Sequence, residues 1–269
     1  MTSPVGRSSC TSILIGKNAT VDGSVIIGRN EDAKTAWPKH LAFNSHQTIK
    51  NNIFKSKDNK FQMELPNERF SYSSTPEWTD KYGVFEEDGI NEYGLAVGLT
   101  SVYPKCLGYG LNAGMLLRYG LERCKTVDSF LEMLKHIPIA SSQTFTAVDT
   151  TGKAAVIECN SEKLEVCYAG DKNPFVSAVN EFYLEGMKTY QVHGIDNWNA
   201  KERYETIQTA FCRDGKKEAV PLAADILSGK YGFICQYDRK TGKDTVWSVI
   251  YDVGIKKIYR CEGNPSRKR

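Results

Sequence analysis

The sequence predicts an α+β protein in which antiparallel strands and helices form separate layers. Strand-like segments follow one another in runs, and helix-like segments come in pairs between those runs. Neither a G-x-G-x-x-G sequence nor a G-x-x-x-x-G-K-[ST] sequence occurs, so neither a dinucleotide-binding fold nor a phosphate-binding loop is indicated. The pattern therefore favours segregated layers over alternating strands and helices.

Strands are predicted where short apolar, β-branched runs lie between turn residues. Asp22-Gly23 is typical of a hairpin turn and separates the first two of these runs. The polar, irregular segment 43–81 predicts loops with short strands. The predicted strands are Thr11–Ile15, Val25–Gly28, Leu95–Leu99, Phe145–Val148, Ala154–Cys159, Leu164–Tyr168, Phe175–Val179, Trp247–Tyr251 and Lys257–Tyr259.

Helices are predicted by apolar residues at helical spacing and by capping residues. Thr126 is a candidate N-cap for the second helix, and Asn199 for the third, where Glu202 would complete a capping box. The predicted helices are Leu111–Leu121, Val127–Ile137, Asn199 to about Phe211, and Pro221–Leu227.

Composition excludes several classes of protein. The chain has 269 residues, 41% apolar and 25% charged, which is unlike a disordered, collagen-like or coiled-coil chain. The net charge is +3, so the strongly basic face of a nucleic-acid-binding protein is not expected. No apolar run approaches the ~20 residues of a membrane helix, and residues 1–9 lack the apolar core of a secretion signal. We therefore predict a cytoplasmic protein without a membrane or nucleic-acid partner.

The eight cysteines form no C-x-x-C pair, and the four histidines are scattered, so no metal site is predicted. Without a secretion signal, a disulfide framework is not expected either. Seven of the cysteines are interpreted as small buried apolar residues. Cys10 differs by position, because it lies at the start of the first strand.

A reactive group is predicted around Cys10. The hairpin brings the end of the second strand, with Arg29 and Asp32, back to the start of the first. A neighbouring arginine favours the thiolate, and a carboxylate can hold an ammonium group or orient the nucleophile. No histidine is clearly paired with Cys10. The cysteine can act without one if removal of residues 1–9, through attack of the sulfur on the Ser9 carbonyl, exposes its α-amine as a base.

The run from Cys10-Thr11-Ser12-Ile13 to Gly28-Arg29-Asn30-Glu31-Asp32 resembles the N-terminal-nucleophile (Ntn) hydrolases that cleave linear amides. That group includes choloylglycine (bile salt) hydrolases, penicillin V acylases, acyl-CoA:6-aminopenicillanic acid acyltransferases and cysteine dipeptidases. The resemblance continues through most of the chain. Its later motifs are Asn91-Glu92-Tyr93-Gly94-Leu95, Val179-Asn180-Glu181-Phe182, Arg203 and Trp247-Ser248-Val249-Ile250-Tyr251.

The resemblance implies an αββα sandwich of two antiparallel sheets between helices, formed by residues 10–269 as a single domain after loss of the leader 1–9. It implies an acylase without metal or organic cofactor, acting on a small N-acyl compound through a thioester. In such enzymes the residue matching Cys10 is the nucleophile, and those matching Arg29 and Asp32 tune the thiol and orient the amine. The residue matching Asn180 supplies an oxyanion-hole donor, and the one matching Arg203 supports the nucleophile.

The sequence also departs from the family pattern. Bile salt hydrolases place an asparagine after the N-E-x-G-L turn as a second oxyanion contributor, whereas Thr100 or Ser101 stands here. The stretch from Asn180 to Arg203 lacks an insertion that supports tetramer assembly in bile salt hydrolases, so bile acids and a tetramer are disfavoured and the oligomeric state stays open. The cysteine dipeptidases match the first 32 residues well, but their chains are longer.

Three alternatives remain at the level of sequence. The same N-terminal cysteine is compatible with an acyltransferase or a dipeptidase. An unprocessed relative, with residues 1–9 covering the site, would be a catalytically silent ligand-binding protein. A redox or metal-handling thiol protein is disfavoured because the cysteines are not paired in sequence.

Overall fold

The computed structural model describes residues 8–34, 41–48, 53–55, 59–64, 67–79, 83–213 and 217–268. The helices are α1 Ala113–Arg123, α2 Val127–His136, α3 Ala200–Arg213 and α4 Ala219–Leu227. The strands are β1 Ser8–Ile15, β2 Ile26–Ala33, β3 Ala42–Asn44, β4 Gln47–Thr48, β5 Ile53–Lys55, β6 Gln62–Glu64, β7 Glu68–Arg69, β8 Tyr72–Thr79, β9 Gly83–Asn91, β10 Ala96–Ser101, β11 Gln143–Val148, β12 Ala154–Cys159, β13 Leu164–Tyr168, β14 Phe175–Ala178, β15 Tyr237–Asp238, β16 Lys243–Asp252 and β17 Lys257–Glu262.

Two antiparallel sheets form the centre of the molecule. The first has the strand order β14-β1-β2-β16-β15, with β17 also paired to β16. The second has the order β13-β12-β11-β10-β9-β8-β3. Leu14 and Ile27 of the first sheet share an apolar cluster with Ala96 and Val148 of the second, so the sheets lie face to face. This is the αββα sandwich that the family resemblance implied.

The outer faces of the sheets are covered by helices. Helices α1 and α2 share one cluster with β10, β11 and β12 of the second sheet. Helices α3 and α4 share another with Ile13, Ile15 and Ile26 of the first. Ile13 and Ile15 alternate with Leu14, so β1 is buried on both faces.

For the first hairpin, the pairing of the two strands was predicted correctly but the turn was not. A two-residue turn at Asp22-Gly23 would set Ile15 opposite Asn30, whereas Ile15 faces Ile26, four positions away. A short 3-10 helix at Lys17–Ala19 lengthens the connection. Because four positions are two strand periods, every side chain keeps the face that the predicted turn would have given it.

Of the two predicted helix N-caps, one is confirmed and the other is wrong. Thr126 caps α2, and its side chain forms a capping box with Ser129. Asn199 does not take the extended conformation typical of an N-cap, because its φ is +58°. The capping box predicted with Glu202 is therefore wrong, although α3 begins at the next residue.

The motif Asn91–Leu95 has a structural explanation. Asn91 Oδ1 accepts from the backbone N–H groups of Tyr93 and Leu95. Its Nδ2 donates to the carbonyl oxygens of Leu121 and Cys124 at the end of α1. One asparagine thus joins the β9–β10 turn to the helix layer.

The interpretation of seven cysteines as buried apolar residues is wrong for most of them. Besides Cys10, only Cys124 and Cys159 are buried, and Cys212 is exposed. The other four are half-buried, and all eight are free thiols. None of the helices within the described part of the chain is long and apolar enough to cross a membrane.

Candidate active site at the start of the first strand

Cys10 lies on β1, an inner strand between β14 and β2, and is only 2% exposed. It stands directly opposite Glu31 in β2. Because directly opposed side chains share a face of the sheet, and because Arg29 is two positions from Glu31, all three point into the space between the sheets. Leu14 and Ile27 lie further along that same face.

Arg29 crosses between the two sheets and is fully buried. Its Nη2 lies 3.0 Å from Cys10 Sγ and 2.5 Å from Glu31 Oε2. Its Nη1 donates to Asp88 Oδ2 on β9 at 2.8 Å, and Nε donates to Leu99 O on β10 at 3.0 Å. The guanidinium therefore links the strand that carries the thiol to the opposite sheet.

Gly98 gives Arg29 the space to do this. A Cβ atom at Gly98 would lie 3.2 Å from Arg29 Cδ and 2.9 Å from Thr146 Oγ1. Because interior packing leaves few voids, a larger residue at Gly98 would force the Arg29 and Thr146 side chains to shift.

The Cys10 thiol has one positively charged neighbour, Arg29, and two negatively charged ones, Glu31 and Glu87. Glu87 Oε2 lies 3.4 Å from Arg29 Nη2, on the opposite sheet from Glu31. Burial raises the pKa of the Cys10 thiol well above its usual value; Arg29 lowers it, but Glu31 and Glu87 raise it further. The predicted effect of Arg29 is present but outweighed, so the thiol is protonated at neutral pH while residues 8 and 9 remain attached.

Asp32 lies on the other face of the sheet, because it is an odd number of positions from Arg29. Its Oδ1 accepts a hydrogen bond of 2.5 Å from Thr245 Oγ1, its neighbour in β16. Its Oδ2 is buried, with no hydrogen-bond partner within the described part of the chain. Burial raises the pKa of this carboxyl to about 7, although Arg203 and the Thr245 hydroxyl favour ionisation. Asp32 was expected to lie near Cys10. It does stand beside the backbone of β1, opposite Ser9, but its side chain points away from the Cys10 sulfur.

Asp32 is expected to make stability depend on pH. The folded protein holds this proton to about pH 7, whereas an unfolded aspartic acid loses it near 3.8. Unfolding therefore releases a proton between these values, and stability falls as pH rises through this window, by at most about 4 kcal/mol. In a Cys10→Ala background, Asp32→Asn should flatten the pH dependence of urea unfolding between pH 4 and 7. Asp128→Asn, at an exposed ion pair with Lys153, is the surface control; the same pH dependence with and without Asp32 would contradict the assignment.

Asn180 lies two residues beyond β14 and contacts the backbone of Cys10. Its Oδ1 accepts from Cys10 N at 3.1 Å and from Ser9 Oγ at 2.6 Å. Its Nδ2 donates to Ser101 O at 2.8 Å. The side-chain amide thus holds the nitrogen that becomes an α-amine if the Ser9–Cys10 bond is cut.

Arg203 on α3 is fully buried, so it does not belong to the solvated face of a helix. Its Nη1 donates to Cys10 O at 2.5 Å and to Thr11 Oγ1 at 2.8 Å. Its Nη2 donates to Asn180 Oδ1 at 2.8 Å, and its Nε to Trp198 O at 3.0 Å. Arg203 therefore fixes both the carbonyl of Cys10 and the amide that holds its nitrogen.

Thr100 and Ser101 lie at the end of β10, next to this group. Thr100 Oγ1 is 3.4 Å from Ser12 Oγ, a hydrogen bond between the two sheets. Ser101 takes part through its carbonyl oxygen, which accepts from Asn180 Nδ2. In this arrangement Ser101 positions Asn180, and the Thr100 hydroxyl is directed at Ser12.

The atoms of Cys10, Glu31 and Glu87 lie within 4.8 Å of one another, a spacing that a metal ion could use. The Arg29 guanidinium is hydrogen-bonded to all three of them, at 3.0, 2.5 and 3.4 Å. The Arg29 guanidinium thus occupies the space between these three side chains. Soft thiolate together with hard carboxylates is also an uncommon ligand set for one metal.

Sequence reasoning missed three carboxylates of this site: Glu31, Glu87 and Asp88. Glu31 could have been predicted from the sequence, because it lies two positions from Arg29 in the same strand and therefore faces the same side of the sheet. Glu87 and Asp88 lie on β9, in a segment where no strand was predicted. The sequence gives no local sign that these charged residues are buried.

Comparisons with known proteins agree with this architecture. The profile of the family described as "Acyl-coenzyme A:6-aminopenicillanic acid acyl-transferase" matches residues 19–267. The "Probable dipeptidase" of Latilactobacillus sakei is 43% identical over 110 residues, 38% of this chain and 22% of that protein. "Probable dipeptidase A" of Streptococcus pyogenes serotype M1 is 33% identical over 102 residues, 37% of this chain and 21% of that protein. The match thus covers about a fifth of the length of these curated relatives.

Several solved structures share the fold. A variant of conjugated bile acid hydrolase from Clostridium perfringens has a TM-score of 0.64 at 16% identity, covering 94% of this chain and 92% of that one. Penicillin V acylase from Agrobacterium tumefaciens has a TM-score of 0.57 at 17% identity, covering 94% and 82%. The Caenorhabditis elegans ortholog of N-acylethanolamine-hydrolyzing acid amidase has a TM-score of 0.56 at 16% identity, covering 91% and 93%. At these identities the likeness concerns the fold alone.

Proposed function

The chain belongs to the acyl-coenzyme A:6-aminopenicillanic acid acyl-transferase family, within the Ntn hydrolases of linear amides, and on this premise we propose its reaction. It hydrolyses the C–N bond of a small N-acyl compound, with Cys10 as the nucleophile after residues 1–9 have been removed. Residues 1–7 of this leader lie outside the described residues, whereas Ser8 and Ser9 form the first two positions of β1.

The observation that carries the proposal is the convergence of buried polar groups on the backbone of one cysteine. Asn180 accepts from Cys10 N, and Arg203 donates to Cys10 O. A structural thiol needs neither contact, because the backbone groups of a strand pair with neighbouring strands. A cysteine whose own nitrogen acts as the base needs that nitrogen to be held in place.

Removal of residues 1–9 would change the charges at the start of β1. The amide nitrogen of Cys10 would become an α-amine with a pKa near ~8, and Asn180 Oδ1 would lose its contact with Ser9. The α-ammonium form is a cation one residue from the position opposite Asp32 in the β1–β2 register. The buried Oδ2 of Asp32 has no hydrogen-bond partner among the described residues. That cation would favour ionisation of both Asp32 and the Cys10 thiol.

The reaction then follows from these contacts. The α-amine takes the thiol proton, and Cys10 Sγ attacks the amide carbonyl carbon. The Asn180 side-chain amide and backbone N–H groups stabilise the oxyanion, while Arg29 holds the sulfur and Arg203 the Cys10 carbonyl. The C–N bond breaks, the amine leaves with the proton, and water hydrolyses the thioester to release the acid and restore the thiol.

The test is the intact mass of the purified protein compared with that of Cys10→Ala. We expect the wild-type protein to lack residues 1–9 and the variant to retain them, with no amide hydrolysis by the variant. Cys159→Ala, at a buried thiol outside the site, is the matched control and should be processed normally. If both proteins keep the leader after long incubation, and the protein cut by an added protease to begin at Cys10 is also inactive, the hydrolase mechanism fails and a ligand-binding role takes its place.

A dipeptidase is the second candidate, favoured by matches that span more than a third of the chain, at 43% and 33% identity, to proteins named as probable dipeptidases. An acyltransferase is favoured by the description of the matching family. The three activities differ in the acyl group and in the acceptor. Incubation of the processed protein with N-acyl amino acids, with unblocked dipeptides, and with either plus an added amine or thiol acceptor separates them by their products.

A further inference from the structure

Self-cleavage of the Ser9–Cys10 bond needs a base other than the one proposed for the mature enzyme. Before cleavage, Cys10 N is an amide nitrogen that donates a hydrogen bond to Asn180 Oδ1. An amide nitrogen is not basic, so it cannot take the thiol proton. The buried thiol holds its proton firmly, because burial, Glu31 and Glu87 together raise its pKa well above the usual value.

One carboxylate is in contact with the sulfur. Cys10 Sγ donates to Glu31 Oε2 at 3.1 Å, and the two residues are directly opposed in the β1–β2 register. Glu31 is fully buried, and Arg29 Nη2 lies 2.5 Å from the same Oε2 atom. The oxygen that receives the thiol hydrogen is thus fixed by the strand pairing and by a second, charged contact.

Other bases of the described chain do not reach the sulfur in this way. Asp32 faces the opposite side of the sheet and bonds to Thr245. His46, His136 and His193 are exposed. Glu87 has an oxygen within 4.8 Å of the sulfur, and its carboxylate contacts the Arg29 guanidinium from the opposite sheet.

The geometry points to Glu31 as the general base of self-cleavage, an inference that rests on the proposed function. Glu31 takes the thiol proton as Cys10 Sγ attacks the Ser9 carbonyl carbon. It returns that proton to Cys10 N as the C–N bond breaks, which leaves a thioester and a free α-amine. Water then adds to the thioester, releasing residues 1–9 as a carboxylic acid and restoring the thiol. After this step the α-amine is the base, and Glu31 holds Arg29.

The experiment follows leader loss by intact mass against time for the full chain with Glu31→Gln, Glu31→Asp and the exposed control Glu132→Gln. Glu31→Gln should slow cleavage by at least about 100-fold, and the control should match wild type. Glu31→Asp keeps the charge beside Arg29 but withdraws the oxygen from the sulfur, so its rate should lie between the two.

A second arm separates self-cleavage from catalysis. In each variant, residues 2–9 are replaced by a protease recognition sequence whose cleavage leaves Cys10 first. Released in this way, Glu31→Gln should hydrolyse the amide substrate with a much smaller loss than its loss in self-cleavage. Cleavage by Glu31→Gln and Glu31→Asp at the wild-type rate would overturn the inference. So would a wild-type chain that never cleaves its own leader although its protease-released form is active. If the released wild-type protein is inactive, the proposed function itself fails.

Discussion

Arg29→Met is expected to lower the free energy of unfolding by about 3–5 kcal/mol. The fully buried guanidinium is paired with Glu31 and Asp88 at 2.5 and 2.8 Å, and Glu87 lies 3.4 Å away. Methionine fills most of the volume but leaves these buried carboxylates without their cation. They must then be protonated or desolvated without compensation.

Urea unfolding in a Cys10→Ala background measures this loss while every variant keeps the same N terminus. Arg267→Met is the matched control, because its pair with Asp244 is at the surface, with side chains 47% and 36% exposed. Exposed pairs contribute about 1 kcal/mol or less. If both substitutions lower stability equally, Arg29 is not the cation on which the buried carboxylates depend.

The contrast between α2 and β9 shows what sequence patterns predict. The cap at Thr126 and the strands Ala154–Cys159 and Leu164–Tyr168 were predicted with their observed limits, because a local cap and short apolar runs between turn residues specify them. Strand β9 carries Glu86, Glu87 and Asp88, which local propensity disfavours in a strand. Its burial is matched by contacts distant in sequence, such as the pair between Asp88 and Arg29.

The site was predictable to the extent that strand parity decides it. Cys10 and Arg29 share a face of the sheet both in the observed register and in the register that a turn at Asp22-Gly23 would give. Their proximity was therefore predicted correctly although the turn was not. The same parity turns Asp32 away from the sulfur and brings Glu31 to it. Asn180 and Arg203 came from the family resemblance, because contacts over 170 and 193 positions leave no trace in local sequence.

Asn180→Ala is expected to lower the kcat of the processed enzyme by about 10²–10³-fold, the usual cost of losing an oxyanion-hole donor. The contacts of Asn180 add a second reason. Its Oδ1 accepts from Cys10 N, and its Nδ2 is oriented by Ser101 O. Truncation therefore removes both the donor and the acceptor that holds the proposed base. KM should change less than kcat, because the side chain contacts the nucleophile.

A stability effect has to be separated from this loss of rate. Asn160→Ala is the matched control, because Asn160 is buried and its Oδ1 accepts from the backbone of Glu162 and Lys163, away from Cys10. It should lower stability while leaving the kcat of the folded protein near wild type. Release of Cys10 by an added protease keeps slow maturation out of the comparison. An Asn180→Ala enzyme that retains wild-type kcat would remove Asn180 from the proposed mechanism and leave backbone N–H groups as the donors to the oxyanion.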